Sequence, residues 1–311
     1  RKTESIDPRP RCNGWTDAQG LCQFPADPQR VSGEPGSAHP ASVYRQRRRN
    51  RPNLSERKAR EALNAGQTME DGIRLSRLMA QQGLCSRREA DRLIAAGQVR
   101  VDGVVIDQLG SKVHPLAAIE LTSEAHRQRA ALATVLLNKP PGVVSNQPEK
   151  GYSEAISLIT EDNRAPHDQH PRRRVPKPQS LHVAGRLDID SSGLLVLTQD
   201  GVVARTLIGP ESRIEKEYHV GVHGNITETA LQRLRDGLSL DGRALRPARI
   251  TQTGPAHLQF VLTEGRKRQV RRMCELVNLQ VRTLVRVRIG GVRLGQLRRG
   301  QWRHLASGEA F

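Results

Sequence analysis

Two carboxylates stand one residue apart in the stretch LHVAGRLDIDSSGLLVLTQDG, residues 181–201. They are Asp188 and Asp190, with Arg186 just before them. A charged side chain in a tight turn that leads into an apolar run must be solvated, paired or used. Paired carboxylates can do general acid and base work. In a strand, positions 188 and 190 share a face; in a loop their spacing decides nothing. On the residues alone, an Asp that caps a turn is the commoner explanation. Elsewhere the chain has no G-x-x-x-x-G-K-[ST] phosphate loop and no G-x-G-x-x-G opening a helix after a strand. Its cysteines, Cys12, Cys22, Cys85 and Cys274, are scattered. No C-x-x-C pair or Cys/His cluster suggests zinc, so no metal is expected, and the thiols read as reduced ones in a cytoplasm.

The charge balance narrows the partner. The chain has 311 residues, 36% of them apolar, and 50 Lys/Arg stand against 32 Asp/Glu, a net charge of +18. That length suits about two domains. Residues 264–303 carry twelve Lys/Arg and two Glu, so this segment alone supplies +10 of the +18. An excess so one-sided and so rich in Arg fits phosphate recognition better than a solvated face. The polyanion is a nucleic acid or an anionic membrane surface. The sequence has no apolar run of roughly 18 residues, no visible signal peptide and no basic amphipathic helix with aromatic anchors, so no membrane partner is expected.

The elements that must position the turn come in order along the chain. Residues 1–70 are rich in Pro, Gly, Ser and Arg and read as a disordered basic extension. The chain opens on Arg1, and Met69 directly precedes the first clear pattern, so residues 1–68 are expected to be dispensable. Order begins at Ile73. IRLSRLMAQQG has apolar residues at 75, 78 and 79 and a stop at Gly83, which predicts a short helix. Ser86 is a good N-cap for RREADRLIAAG, and VRV-DG-VVI predicts a hairpin around Asp102-Gly103. A strand near 117–121 completes a unit over 73–122, whose first helical turns carry Arg74, Arg77, Arg87, Arg88 and Arg92. Residues 123–131 read as a polar linker, and a larger domain is expected over 132–308. There VLLN is a strand broken by Lys139-Pro140-Pro141-Gly142, and the Pro/His/Arg-rich stretch 161–180 is a loop. EKEYHVGV, LQFVL and VRTLVRVRI read as strands, ITETALQRLRDG and GRKRQVRRMCELV as helices. Such mixed order predicts an α+β fold, with a mixed, mainly antiparallel sheet and flanking helices.

Two parts of the chain resemble known families. RLSRLMAQQGLCSRREADRLIAAGQVRVDGVVI is similar to the S4 domain, a small RNA-binding module. The resemblance implies that the second helix and its basic first turn, with Arg87 and Arg88, face RNA, with Arg74 and Arg92 beside them. G-R-L-D at 185–188, with Gly193-Leu194-Leu195, resembles the signature of the pseudouridine synthases. It matches the branch that holds the small-subunit rRNA synthase and the large-subunit synthases B, E and F, and the F form most nearly. LLNKPPGVVS, EKEYHV, EGRKRQVRRMCE, VRTLVRVRIG and LGQLRRGQWRHL come in the family's order. The stretch 161–180 departs from that relative.

The resemblance implies the chemistry. Uridine becomes pseudouridine when the N1–C1′ bond breaks, the uracil turns and its C5 joins C1′. No cofactor is needed; one carboxylate is. Asp188 matches the catalytic Asp, which either attacks C1′ or takes the C2′ proton. Either role needs an ionised carboxylate in a partly dry pocket, which a nearby cation offsets. Arg271 matches that cation, Tyr218 the aromatic lying against the uracil, and Leu284 a packing residue on the base. Arg186 matches the residue that helps flip the target or holds its phosphate. Asp190 is left as structural. Lys216, Arg268 and Arg272 are expected on RNA, Lys216 either at a backbone phosphate or on a solvated face. The function implied is pseudouridine formation in rRNA, most nearly 23S, by a monomer. The alternatives are a synthase acting on 16S rRNA or tRNA, and an RNA-binding assembly factor that keeps the fold without catalysis.

Overall fold

The computed structural model describes residues 72–147 and 151–311. The expectations for residues 1–70, and for Met69 as a start, lie outside these residues. The small domain comprises β1 (Ile73–Arg74), α1 (Leu75–Gln81), α2 (Arg87–Ala95), β2 (Val99–Val101), β3 (Val104–Ile106), β4 (Lys112–Val113), β5 (Ile119–Leu121) and α3 (Ser123–Ala130). Ser86 begins α2 with a capping box: its Oγ accepts from Glu89 N at 3.3 Å and its own N–H donates to the Glu89 carboxylate at 3.4 Å. Asp102 and Gly103 both have positive φ, the signature of the type I′ turn that suits the β2–β3 hairpin. Leu75, Met79, Ala90, Leu93, Ile94 and Val99 close the core.

The expected linker 123–131 is instead a helix. The Thr122 hydroxyl accepts from Ala125 N at 3.3 Å, and Ala125 is fully buried in the small domain's core. A helix that buries one alanine has no apolar period to read, so its polarity resembles that of a linker. Arg129 near its end pairs with Glu89 at 2.6 Å and with Asp200 at 3.7 Å, and Arg205 donates to the Ala80 carbonyl at 2.8 Å. The bonds from Arg129 to Asp200 and from Arg205 to Ala80 join the small domain to the large one.

The large domain contains β6 (Thr134–Lys139), β7 (His182–Val183), β8 (Ser192–Thr198), α4 (Gly201–Ile208), β9 (Lys216–His223), α5 (Glu228–Asp236), β10 (Ser239–Leu240), β11 (Arg243–Ala244), β12 (Arg249–Gly254), β13 (His257–Leu262), α6 (Gln269–Glu275), β14 (Gln280–Ile289), β15 (Val292–Arg293) and β16 (Trp302–His304). One sheet runs β12-β13-β9-β14-β8-β6-β16, with β7 beside β8 and β15 beside β14. The β14–β8 pair is parallel and the other pairs of this sheet are antiparallel. The fold is α+β. Alternate residues of the central strands enter different cores: Val135, Leu137, Leu195 and Leu197 pack on one side, Leu136, Leu194 and Val196 on the other. That two-sided burial is why LLVLT reads as a continuous apolar run rather than an alternating one.

Residues 161–180 hold little regular structure, as expected, but they are fastened down. Asp168 and His304 are both buried, with Asp168 Oδ2 2.9 Å from His304 Nδ1, and Asp168 Oδ1 accepts from His304 N and His170 N. Arg164 donates to the carbonyls of Pro171 and Arg173 at 2.7 Å each and lies over the Trp302 ring at 5.1 Å. Burial pushes His304 below the ordinary imidazole range, only partly offset by Asp168. Burial also works against the Asp168 carboxylate, but the bonds from His304 and His170 outweigh it and hold the group low. The pair is therefore a neutral ring on a carboxylate at neutral pH.

One backbone position ties the sheet's parallel pair together. Gly193 opposes Arg286 in the β8–β14 register and has φ +102°, and a Cβ there would lie 2.3 Å from the Arg286 carbonyl oxygen. Gly193→Ala therefore faces both a strained φ and a backbone overlap. It is expected to lower unfolding stability by about 2–4 kcal/mol, read from denaturant midpoints. An unchanged midpoint would show that the two strands part here at no cost.

Candidate active site

The turn 185–191 crosses from β7 into β8 and is held through its own backbone. Arg286, 2% exposed on β14, donates to Gly185 O at 2.9 Å, to Arg186 O at 3.4 Å and to Leu194 O at 2.7 Å. Ser145 and Leu187 exchange two bonds, Ser145 Oγ to Leu187 O at 2.6 Å and Leu187 N to Ser145 Oγ at 2.8 Å. Ser191 N donates to Asp188 O at 3.1 Å. Ile189 O accepts from Gly142 N at 2.8 Å and from the Lys139 ammonium at 3.5 Å. Asp190 O accepts from Arg271 Nη2 at 3.1 Å. Each carbonyl from Gly185 to Asp190 thus has a donor, which buried backbone outside helix and sheet requires.

The carboxylate of Asp188 is left over. It is half-buried, and among the described residues no hydrogen bond or ion pair engages it. It lines a cleft of about 660 Å³ together with Arg186, Lys216, Tyr218, Arg268, Leu284 and Arg286. Tyr218 and Leu284, both buried, stand on adjacent strands β9 and β14, so the cleft has an apolar wall beside the turn. Lys216 is buried with its ammonium on the Ile214 carbonyl at 3.1 Å, which excludes a solvated face for it. Burial lowers its pKa, and the neighbouring Arg286 and Arg246 lower it further. One end of the cleft is therefore cationic.

The remaining expected residues divide. Arg271 does not pair with Asp188. Its guanidinium is 3.2 Å from Asp190 Oδ1 and donates to Ser191 Oγ at 3.2 Å, so the neighbouring carboxylate takes the place expected for Asp188. Arg268, at φ +53° before α6, reaches the same Asp190 at 3.3 Å. Asp190 anchors these two cations. Arg272 lies off the cleft, bound by two bonds of 2.6 and 2.9 Å to Asp241. Arg74, Arg87, Arg88 and Arg92 are exposed on the small domain, and none lines the cleft. Cys274 and Cys85 are buried, and burial pushes both thiols up to about 12. Sequence reasoning missed Arg286, Arg246 and Lys139. Arg286 is hidden in the basic strand VRVRI, where the one hint is a glycine required opposite it. Lys139 reads as part of a strand-breaking K-P-P-G.

Comparison with known proteins fits this geometry. Residues 133–276 match the family model described as RNA pseudouridylate synthase, and residues 73–116 match the S4 domain. An uncharacterised RNA pseudouridine synthase of Mycobacterium bovis is 34% identical over 76% of this chain and 91% of its own. The dual-specificity RNA pseudouridine synthase RluF of Escherichia coli K12 is 33% identical over 77% of this chain and 78% of its own. A crystal structure of a pseudouridylate synthase superposes with a TM-score of 0.52 at 25% identity, covering 75% of this chain and 96% of that one. The chain belongs to the RNA pseudouridine synthase family.

Behind the turn of this synthase sits one more cation. Lys139 is fully buried and donates to the carbonyls of Pro140 at 2.9 Å and Val143 at 2.7 Å. Burial brings its pKa down from 10.5 to about 8, against the pull of Asp190 and Asp188. The unfolded lysine keeps its proton up to its ordinary value. Between about 8 and 10.5 the unfolded chain therefore binds more protons, and this group's contribution to stability rises with pH there. For the site the sign is opposite, because the cation beside the two aspartates disappears above about 8. Lys139→Met is expected to slow single-turnover isomerisation at neutral pH about tenfold, equivalent to ~1.4 kcal/mol. It should also remove the decline in rate that the wild type is expected to show above about 8. Identical pH–rate profiles for the two proteins would confine Lys139 to a structural role.

Proposed function

We propose that this synthase converts uridine to pseudouridine in ribosomal RNA, with 23S rRNA as its target, acting as a cytoplasmic monomer. The observation that carries the reading is the unheld carboxylate of Asp188 beside Tyr218 and Leu284 in a cationic cleft. Asp188 is the catalytic group. It either bonds to C1′ as N1 leaves, a bond that breaks again when C5 attacks C1′, or removes the C2′ proton and returns it to C2′ as C5 bonds to C1′. In both cases the N1–C1′ bond breaks, the uracil turns, C5 bonds to C1′, the C5 proton is lost and N1 gains one. The product is an isomer, so nothing else is consumed.

A base must leave its stack to reach the cleft, at a cost of a few kcal/mol. Stacking on Tyr218 returns about 1–3 kcal/mol of that, and Leu284 packs on the base. Arg186, exposed at the rim, holds the flipped nucleotide's phosphate, and Arg268 and Lys216 line its path. The basic first turn of α2, with Arg87 and Arg88 flanked by Arg74 and Arg92, binds RNA at a distance from the chemistry. Arg272 binds RNA from outside the cleft. Support for ribosomal RNA comes from the S4 domain and the large basic excess. A relative is named for dual specificity, so a second RNA substrate is assayed beside 23S rRNA, with 16S rRNA and transfer RNA as the candidates.

Asp188→Asn removes one charge and keeps the shape. The variant is expected to bind 23S rRNA within about twofold of wild type, a difference of ~0.4 kcal/mol, and to form no pseudouridine. Turnover by the purified variant would refute the assignment. The target is read by mapping pseudouridines in 23S rRNA, 16S rRNA and tRNA from cells lacking the gene. Loss confined to 16S rRNA or tRNA would overturn the choice of 23S.

A further inference from the structure

We propose that residues 161–180 form a fixed cationic rail that holds the phosphates of substrate RNA between the small domain and the cleft. The proposal rests on the synthase reading above and adds a third RNA-contacting element to it. Between Asp168 and Asp188 there is no acidic residue, while Arg172, Arg173, Arg174 and Lys177 fall together. Arg172, Arg174 and Lys177 are exposed, and among the described residues none of them has an ion-pair partner. Some other arginines of the surface are paired. Arg235 pairs with Glu228, Arg249 with Glu215, Arg272 with Asp241 and Arg303 with Glu309. Arg172, Arg174 and Lys177 stand together with no acidic residue among them, so three cations are open within six positions.

The segment is also held in place, which a merely solubilising loop does not need. Asp168 is buried against His304, and Arg164 spans the segment's own carbonyls and the Trp302 ring. Pro171, Pro176 and Pro178 stiffen the run between, and Pro176 is buried. A backbone already fixed loses less entropy when its cations meet phosphate. The two ends give the direction. Arg173 donates to the carbonyl of Ala131 at 3.3 Å, where α3 leaves the small domain. At the other end Ser180 Oγ accepts from Gln199 at 2.7 Å, and the chain then runs through β7 directly into Arg186 and Asp188. The rail therefore joins the point where the small domain ends to the turn that carries the carboxylate.

The test is the triple variant Arg172→Ala, Arg174→Ala, Lys177→Ala in the full chain, with transcribed 23S rRNA as the probe. Each lost phosphate contact lowers the slope of log K against log salt by about 0.7–0.9. The variant's slope should fall by about two, so raising salt from about 50 to about 200 mM should cost it roughly tenfold less affinity than it costs wild type. Its single-turnover rate on saturating RNA should match wild type, because none of the three lines the cleft. Its thermal midpoint should also match, since all three side chains are exposed. The wild type's own turnover reports on the synthase reading independently. An unchanged salt slope in a folded variant would overturn the rail and leave an acidic protein as the segment's partner. A lost turnover rate with an unchanged slope would also overturn it, because the segment would then serve the cleft instead.

Discussion

The structure depends on how six consecutive carbonyl oxygens are satisfied. Gly185 to Asp190 form neither helix nor sheet, yet the turn must present a carboxylate at one place in a cleft. Leu187 is buried and Gly185, Asp188 and Ile189 are half-buried, and a backbone group buried without a partner costs about 1–3 kcal/mol. Arg286, Ser145, Gly142, Ser191, Lys139 and Arg271 satisfy them from β14, from the K-P-P-G loop and its surroundings, and from α6. Distant parts of the chain must therefore be in place before the turn has a shape. The parallel β8–β14 pair is what brings Arg286 under the turn, and it exists because residue 193 carries no side chain to obstruct it.

The same cations create the electrostatics. Burying Arg286, Lys139 and Lys216 without carboxylate partners at bonding distance carries a desolvation cost of several kcal/mol per ion. Hydrogen bonds from these cations to carbonyl oxygens offset part of it, and the lowered pKa values of Lys139 and Lys216 register the part that is not offset. Asp190 takes two arginines, and Asp188, two positions earlier in the same turn, takes none. Two carboxylates in one turn thus have different tasks, decided by which of them the guanidiniums of Arg268 and Arg271 can reach.

Much of this was legible in the sequence. The N-cap at Ser86, the Asp102-Gly103 hairpin and the apolar run LLVLT each obey local rules, and each appears where those rules put it. Asp188, Tyr218 and Leu284 are marked by family motifs, and the cleft brings them together. The features that were not legible depend on contacts remote in sequence. Arg271 meets Asp190 rather than Asp188 because of where α6 packs, which no spacing encodes. Lys139 and Arg286 act on residues about 50 and 100 positions away. The helix at 123–130 buries a single alanine and leaves no period.

A cleft of buried like charges is costly to the folded protein and suited to a polyanion. Arg286 and Arg246 depress Lys216, and no side-chain carboxylate lines that end of the cleft except Glu264. Glu264 is itself occupied, accepting from Arg246 N and from Gln269. A phosphate entering there relieves repulsion that folding alone leaves in place. On the proposed reading, RNA would gain from the cations the fold has isolated, and Asp188, which pairs with neither Arg268 nor Arg271, would face the ribose.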